Sequence, residues 1–318
     1  MKNLSARFLS VEWSGLVGAI VAGVIALSFV SPAFLTEFNI YVMLRSFCVG
    51  LLVAYAQMIA LGVGQMNLSV GALGGLVAIS FGGLMEVFGA PVFVAVCVAL
   101  AIGALAGWIN GELIVRTGIN GFIITLATAS AFTGVNLGIT KSIPFYNMPA
   151  SVVAFGTARL SIFPFLLIAP LIVTVLTAML FARTRPGRHL LAVGGNASAA
   201  ELSGISKGRT IVLAHVLSGL LAAGAAILAV SQLGSAQPSI GSDWLLISFA
   251  APIIGGASLA GGHISIPGTL LAVILIALIE NAMVLVKVDP YWVQFLLGAL
   301  ILAAVGLNRW RAVQTGTE

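Results

Sequence analysis

The sequence is divided into apolar runs that are each about as long as a membrane is thick. A helix needs about 20 mostly apolar residues to cross the hydrocarbon layer. Ten segments approach this length, at 13–30, 40–63, 68–87, 91–114, 120–139, 161–182, 210–233, 244–260, 265–286 and 291–308. Only 7% of the residues are charged and 60% are hydrophobic, so a soluble domain is excluded. We predict an all-α, polytopic membrane protein with about 10 transmembrane helices, in which residues 1–318 form one transmembrane domain.

The basic residues predict how the chain is oriented. If the N-terminus lies inside, ten of the 14 Lys and Arg residues fall in inner segments and three in outer loops. Positive charge favours the cytoplasmic side, so we expect both termini to be cytoplasmic. The longest inner segment, 183–209, contains five of the basic residues and is predicted to be a cytoplasmic loop.

Most catalytic signatures are missing from the sequence. It has no G-x-x-x-x-G-K-[ST] phosphate loop, no H-E-x-x-H and no Cys/His cluster, and Cys48 and Cys97 lie singly inside apolar runs. We therefore predict a protein that is not an enzyme and has no ATP site, cofactor or metal of its own. The basic residues do not form one patch, so we expect no nucleic-acid partner.

The inner loop contains the signals of a short, capped helix. Asn196 is a good N-cap, the residues after it favour helix, and Gly204 is a good terminator. Ala200 and Ser203 would share one face of this helix with Ala199 beside them, which predicts a smooth surface that fits a groove on a partner. The alternative is an ordinary surface loop with good capping residues.

Four stretches resemble the permeases of ribose/xylose-type sugar ABC importers. Residues 187–205 are similar to the coupling-helix pattern G-R-x-x-x-A-I-G-G-N-x-x-A-A-x-x-S-G-I of that family. The family is also similar in three later stretches, which are the helix that follows this loop, the run 255–269 and the run 288–294. They occur in the same order and at the same spacing as in the family.

The resemblance implies a set of partners. It implies a permease subunit in the bacterial plasma (inner) membrane that crosses it several times and pairs with a second copy or a close paralogue. It also implies ABC ATPase subunits inside and a periplasmic or extracellular solute-binding protein, which would face 140–160 and 234–243. The residues expected to couple the permease to the ATPase are Asn196, Ala199, Ala200, Glu201, Ser203, Gly204 and Ile205.

The first half departs from the family at one polar position. Where the family reads G-G-I-D-L-S-V-G, this chain has Asn67 in place of the acid and Gln65 in place of a glycine. Because the family's acid is replaced here, the sequence does not identify the solute. Polar groups that suit a neutral hydroxylated solute, and are therefore candidates for the translocation path, are Asn67, Ser69, Thr125, Thr128 and Gln232.

Two opposite charges lie at matched depth within predicted spans. Arg45 and Glu280 are each a few residues inside the outer end of a span, roughly 8–9 Å deep at ~1.5 Å per residue. Because a charge at depth is costly, we predict that they form an ion pair that shapes the outer vestibule. The alternative is that each extends separately to water.

Two other functions remain open on the sequence alone. One is a branched-chain amino-acid ABC permease, which the sugar-type coupling pattern disfavours. The other is a stand-alone secondary transporter, which usually needs ionisable groups within the membrane. Few are present here.

Overall fold

A computed structural model describes residues 13–289, together with 292, 295, 298, 299 and 302. The described chain is helical except for one small hairpin, β1 (Arg159–Leu160) paired antiparallel with β2 (Phe163–Pro164). The helices are α1 (Ser14–Val30), α2 (Glu37–Gly62), α3 (Val70–Glu86), α4 (Val92–Thr117), α5 (Gly121–Thr140), α6 (Ala150–Thr157), α7 (Ile168–Arg183), α8 (Arg185–Gly195), α9 (Ala197–Leu202), α10 (Lys207–Leu233), α11 (Trp244–Ile254) and α12 (Ile266–Leu285).

Six of the described helices are long and apolar enough to cross a membrane. They are α2, α4, α5, α10, α12, and α7 taken together with the short 3-10 turn that precedes it. Helices α1, α3 and α11 are apolar but shorter. Each of the first nine predicted spans overlaps one of these helices, whereas the tenth, 291–308, falls mostly outside the described residues. The chain is therefore a polytopic membrane protein built of helices.

Helix α2 forms the centre of the bundle. All twelve of its residues from 51 to 62 are buried, and it packs against α10, α11 and α12. Apart from Gln57, the side chains of this stretch are apolar or weakly polar on every side, which is typical of a helix enclosed by others. Its last residue, Gly62, lies at the end of the bundle that contains α8 and α9, which we call the α9 end. We call the opposite end the far end.

The two long helices α4 and α10 pack against each other through glycine. A Cβ atom built on Gly107 would overlap the carbonyl oxygen of His215, and one built on Gly103 would lie 2.5 Å from the carbonyl oxygen of Gly219. Backbone therefore touches backbone along this pair. Small residues stabilise helix pairs in membranes because they permit such close van der Waals packing.

Two interruptions in the helical path meet at the α9 end. The first, 63–69, separates α2 from α3, and the second, 255–265, separates α11 from α12. The amide of Gly262 donates to the carbonyl of Gly62 at 3.1 Å, which joins them. The predicted span 244–260 is thus helical only to Ile254. There the chain turns through a glycine pair, and Gly255 packs against the backbone of α12.

Two loops are joined at the far end. Phe145 and Ala236 exchange backbone hydrogen bonds at 2.9 and 2.8 Å, and the Asn136 side chain donates to the carbonyl of Pro238 at 2.9 Å. The loop after α5 and the loop after α10 therefore form one surface. Both belong to the segments expected to face a binding protein.

We expect substitution of Gly107 by valine to destabilise the fold. The added side chain would overlap the backbone of α10, and overpacking costs about 1–3 kcal/mol or more. Thermal unfolding of the purified protein should show a clearly lowered Tm. The matched control is Gly134→Val in α5, where a Cβ meets nothing within 4 Å, and equal losses for the two variants would contradict the close packing of α4 and α10.

Candidate transport and coupling sites

The short helix α9 protrudes from the α9 end with the capping that its sequence predicts. The side-chain oxygen of Asn196 accepts from the amide of Ala199 at 3.0 Å, and Gly204 adopts φ +79° just beyond the helix. Of the residues predicted to couple, Ile205 is half-buried, and the exposed ones are Asn196, Ala199, Glu201, Ser203 and Gly204.

Ala200 is not part of the exposed face. It is only 5% exposed and points into the protein, so its small size serves packing beneath α9. The outer surface is provided instead by Leu202, which is 91% exposed. Helical spacing from Ala199 could have identified it, because residues three apart share a face. The surface of α9 is therefore smooth but carries one large apolar side chain.

A polar groove lies beside α9. Its lining includes Gln65, Asn120, Glu201 and Lys207, and its volume is about 330 Å³. The sequence pattern did not reveal this groove, because its residues come from four separate segments. Together with Leu202 it gives the α9 end a surface with both an apolar projection and a polar recess.

The segment before α9 is also a helix, although the sequence was interpreted as a loop there. Thr184 caps α8 by accepting from the amide of Gly187 at 3.2 Å. Leu190 is buried among α2, α7 and α10, and Val193 is also buried, while the polar side of α8 is exposed. Helix α8 therefore holds the start of α9 firmly against the bundle.

Asn67 is the centre of a buried hydrogen-bond network. Its side-chain amide donates to the Ser218 hydroxyl at 2.9 Å, and its oxygen accepts from the hydroxyl of Ser69 at 2.7 Å. Ser69 in turn accepts from Asn110 at 2.8 Å. With its amide oriented to satisfy both groups, Gln57 pairs with the backbone of Asn67 at 2.9 and 3.3 Å. All five side chains are almost fully buried.

Thr125 fixes the same interruption from the side of α5. Its hydroxyl accepts from the amide of Leu68 at 3.0 Å and donates to the carbonyl of Gly121 at 2.7 Å. Thr128, one turn further, is half-buried and bonds to the carbonyl of Thr125 at 3.2 Å. Asn67 and Thr125 therefore satisfy the backbone of a helix interruption inside the bundle, and Ser69 links Asn67 to Asn110. Asn67, Ser69 and Thr125 do not line the polar groove beside α9.

Gln232 has a different position, in a cleft near the far end. The cleft has a volume of about 210 Å³ and lies between α2, α10, α11 and α12. Its polar lining includes Ser46, Gln232, Asp243 and Glu280, and Trp244 forms part of its wall. Such a mixture of hydroxyl, amide, carboxylate and aromatic groups can hydrogen-bond and stack against a small polar molecule.

Arg45 and Glu280 do not form the predicted ion pair. The guanidinium of Arg45 donates to the carbonyl of Gln232, one of the last in α10, and lies 5.4 Å from the centre of the Tyr41 ring. A cation is stabilised at a helix C-terminus by the helix dipole and on an aromatic face by cation–π attraction. Arg45 is thus held by α10 and its own helix, although its Nε has no hydrogen-bond partner among the described residues, and Glu280 is left facing the cleft.

We expect Asn67→Ala to lower stability by about 1–3 kcal/mol, because it strips hydrogen bonds from buried groups. The measurement is the Tm of the purified protein. Ser130→Ala is the control, because Ser130 is exposed on α5 and bonds only within its own helix. A variant at position 67 with unchanged Tm and altered solute preference would instead make Asn67 a path residue.

Comparison with known proteins identifies the family. Residues 39–305 match the family described as branched-chain amino acid transport system / permease component. The ribose import permease protein of Bacillus subtilis is 35% identical to the chain, across 90% of the chain and 89% of that protein. The D-allose transport system permease protein of Escherichia coli is 33% identical across 87% and 85%, respectively.

A third relative is similar over almost its whole length. The autoinducer 2 import system permease protein of Photorhabdus luminescens is 31% identical, across 95% of this chain and 92% of that protein. No solved structure matches the chain significantly. With its several apolar helices, the chain is a multi-pass protein of the bacterial inner membrane. It belongs to the family of ABC importer permeases that includes these ribose, allose and autoinducer 2 import proteins.

Proposed function

We propose that the chain is the membrane-spanning subunit that carries a sugar or sugar-like polar solute into the cytoplasm. A separate ATPase subunit binds ATP and docks on α9, and an external binding protein delivers the solute. The observation that carries the proposal is the exposed, capped helix α9 with Leu202 at its surface, in a chain related to import permeases along its length.

Leu202 is suited to anchor the ATPase. An isolated leucine that is almost completely exposed loses water-accessible area when it enters a groove on a partner, which favours binding by about 25 cal/mol per Å². The exposed Asn196, Ala199, Glu201, Ser203 and Gly204 surround it, and Ile205 supports the turn. Basic residues of the loop 183–209 flank this surface, in keeping with a cytoplasmic position.

The cleft near the far end is the proposed outer part of the solute path. Gln232, Asp243 and Glu280 offer the hydrogen-bond partners that hydroxyl groups need, and Trp244 offers an apolar face. In the assembled importer, a second copy or close paralogue would complete the path. ATP-driven closure of the ATPase pair would move α9 and alternate which side of the path is open.

The joined loops at the far end are the proposed docking surface for the binding protein. Because Phe145 and Ala236 hold them together, a partner that contacts one loop also contacts the other. The side chain of Glu86 accepts from the amide of Asn147 at 2.8 Å and steadies the same surface.

The alternatives identified from the sequence are less well supported. The family description names branched-chain amino acid transport, but the relatives described above import ribose, allose or autoinducer 2. A secondary transporter would work without α9, whose exposed leucine would then have no role.

We expect Leu202→Arg to abolish co-purification of the ATPase subunit, because the anchor becomes a long charged side chain. The measurement is the amount of ATPase retained when the tagged permease is purified from the membrane. Leu160→Arg is the matched control, since Leu160 is 73% exposed in the hairpin at the far end. Normal ATPase retention by Leu202→Arg would show that α9 is not the docking site.

We expect cysteines at the two ends to react from opposite sides of the membrane. In a background lacking Cys48 and Cys97, Ala150→Cys should react with an impermeant maleimide in intact cells. Ser198→Cys should react only after the membrane is made permeable. Both positions are exposed. Labelling of both from the same side would refute the orientation.

A further inference from the structure

Three segments of backbone meet at the α9 end with almost no side chain between them. They are 62–64 at the end of α2, 194–195 at the end of α8, and 261–262 in the loop between α11 and α12. We call this contact the glycine junction. Besides the hydrogen bond from Gly262 to Gly62, the segments approach one another mainly through glycine backbone, and the side chains of Leu191 and Ile264 lie beside Gly62.

The glycine junction is too tight for any side chain at most of its positions. A Cβ on Gly194 would overlap the carbonyl oxygen of Gly62 and lie 2.5 Å from the amide of Gly262. A Cβ on Gly261 would lie 2.6 Å from the nitrogen of Gly64. Since close-packed groups are poorly compressible, a displacement of one segment must displace the other two.

Each segment of the junction leads directly to a different part of the proposed mechanism. Residue 195 is followed by Asn196, which caps α9. Residue 62 is followed by the interruption 63–69, which contains the Asn67 network. The loop 261–262 joins α11, which begins beside Asp243, to α12, which carries Glu280. Both acidic residues line the cleft near the far end.

Helices α11 and α12 are suited to carry a movement from one end to the other. From its start at Ile266, α12 reaches Glu280 over roughly 20 Å at ~1.5 Å per residue. A small shift of the loop at the junction would therefore change the position of a cleft carboxylate. Discrete movements of packed helices are a common means of such transmission.

We propose that the glycine junction transmits the movement of α9 to the cleft, with Gly194 and Gly262 as the positioning residues. The inference rests on the proposed docking of the ATPase at α9. It adds the physical route by which that docking opens or closes the solute path.

The test compares Gly194→Ala with Gly195→Ala in the complex with the ATPase subunit. The control is matched, because a Cβ on Gly195 meets only the Cα of Gly262, at 3.8 Å, which is ordinary contact. Ser46→Cys reports on the cleft in a background lacking Cys48 and Cys97, since Ser46 is exposed and lines it. The labelling rate with a maleimide is measured without nucleotide and after trapping with ATP and vanadate.

We expect trapping to change the labelling rate several-fold in the parent and in Gly195→Ala. In Gly194→Ala the change in labelling rate should fall below about two-fold, while the ATPase remains bound and hydrolyses ATP. A purely structural role of Gly194 would not lower the response of the cleft without also lowering ATP hydrolysis. If Gly194→Ala responds as Gly195→Ala does, the inference is wrong. If the parent binds the ATPase but its cleft does not respond, the inference is wrong and the docking stands.

A second variant keeps the test informative if Gly194→Ala fails to fold. Leu191 packs beside the junction with Ile264, and Leu191→Ala loosens α8 without any overlap. It should reduce the response, whereas Leu176→Ala, at a 59% exposed position on α7, should not. A full response in Leu191→Ala refutes the inference. Absence of ATPase binding in the parent would refute the proposed function, and with it this inference.

Discussion

The absence of water inside a membrane is the constraint on which this structure depends. Every backbone amide and carbonyl in the hydrocarbon region must find a partner within the protein. The continuous helices meet this requirement internally, but the interruptions 63–69 and 255–265 do not. The first contains no exposed residue and is enclosed by the bundle, whereas the second is partly exposed at the α9 end, with Gly256, Leu259 and His263 at the surface. Asn67, Thr125 and Gln57 supply partners to the first, and the hydrogen bond from Gly262 to Gly62 joins the second to it.

The same requirement explains why polar residues within the apolar runs have such different roles. Asn67 and Ser69 lie where the helical path stops. The Asn67 side chain accepts from the amide of Ser69 and so replaces a hydrogen bond that a helix would have made. Arg45 lies beside the C-terminal end of α10 and donates a hydrogen bond to one of its last carbonyl groups. Gln232 and Glu280 lie where helices separate, and they face a cleft. A polar residue in a membrane segment can therefore serve a helix interruption, a helix end or a cleft. The sequence alone does not show which of these roles it has.

The sequence predicted the helices well, because a run of apolar residues long enough to span a membrane has few other possible structures. It also predicted the cap at Asn196, which is a local signal. It did not predict α8, whose apolar run 190–193 is too short to span a membrane, and whose Leu190 becomes buried only through contacts with other helices. The partners of Arg45 and the burial of Ala200 were missed for a related reason. The sequence predicts the depth of a residue and the face of the helix on which it lies. It does not show which neighbouring helix packs against that face.

The close packing of α4 against α10 also bears on how relatives of this chain diverge. The contact is made by backbone at Gly103, Gly107 and Gly219, so it does not depend on the side chains of the cleft. Substitutions at Gln232, Asp243 or Glu280 therefore leave this part of the bundle unchanged. Over evolutionary time, solute preference can drift within a constant architecture. Homologues that share about a third of their residues can in this way keep one fold while they import different solutes.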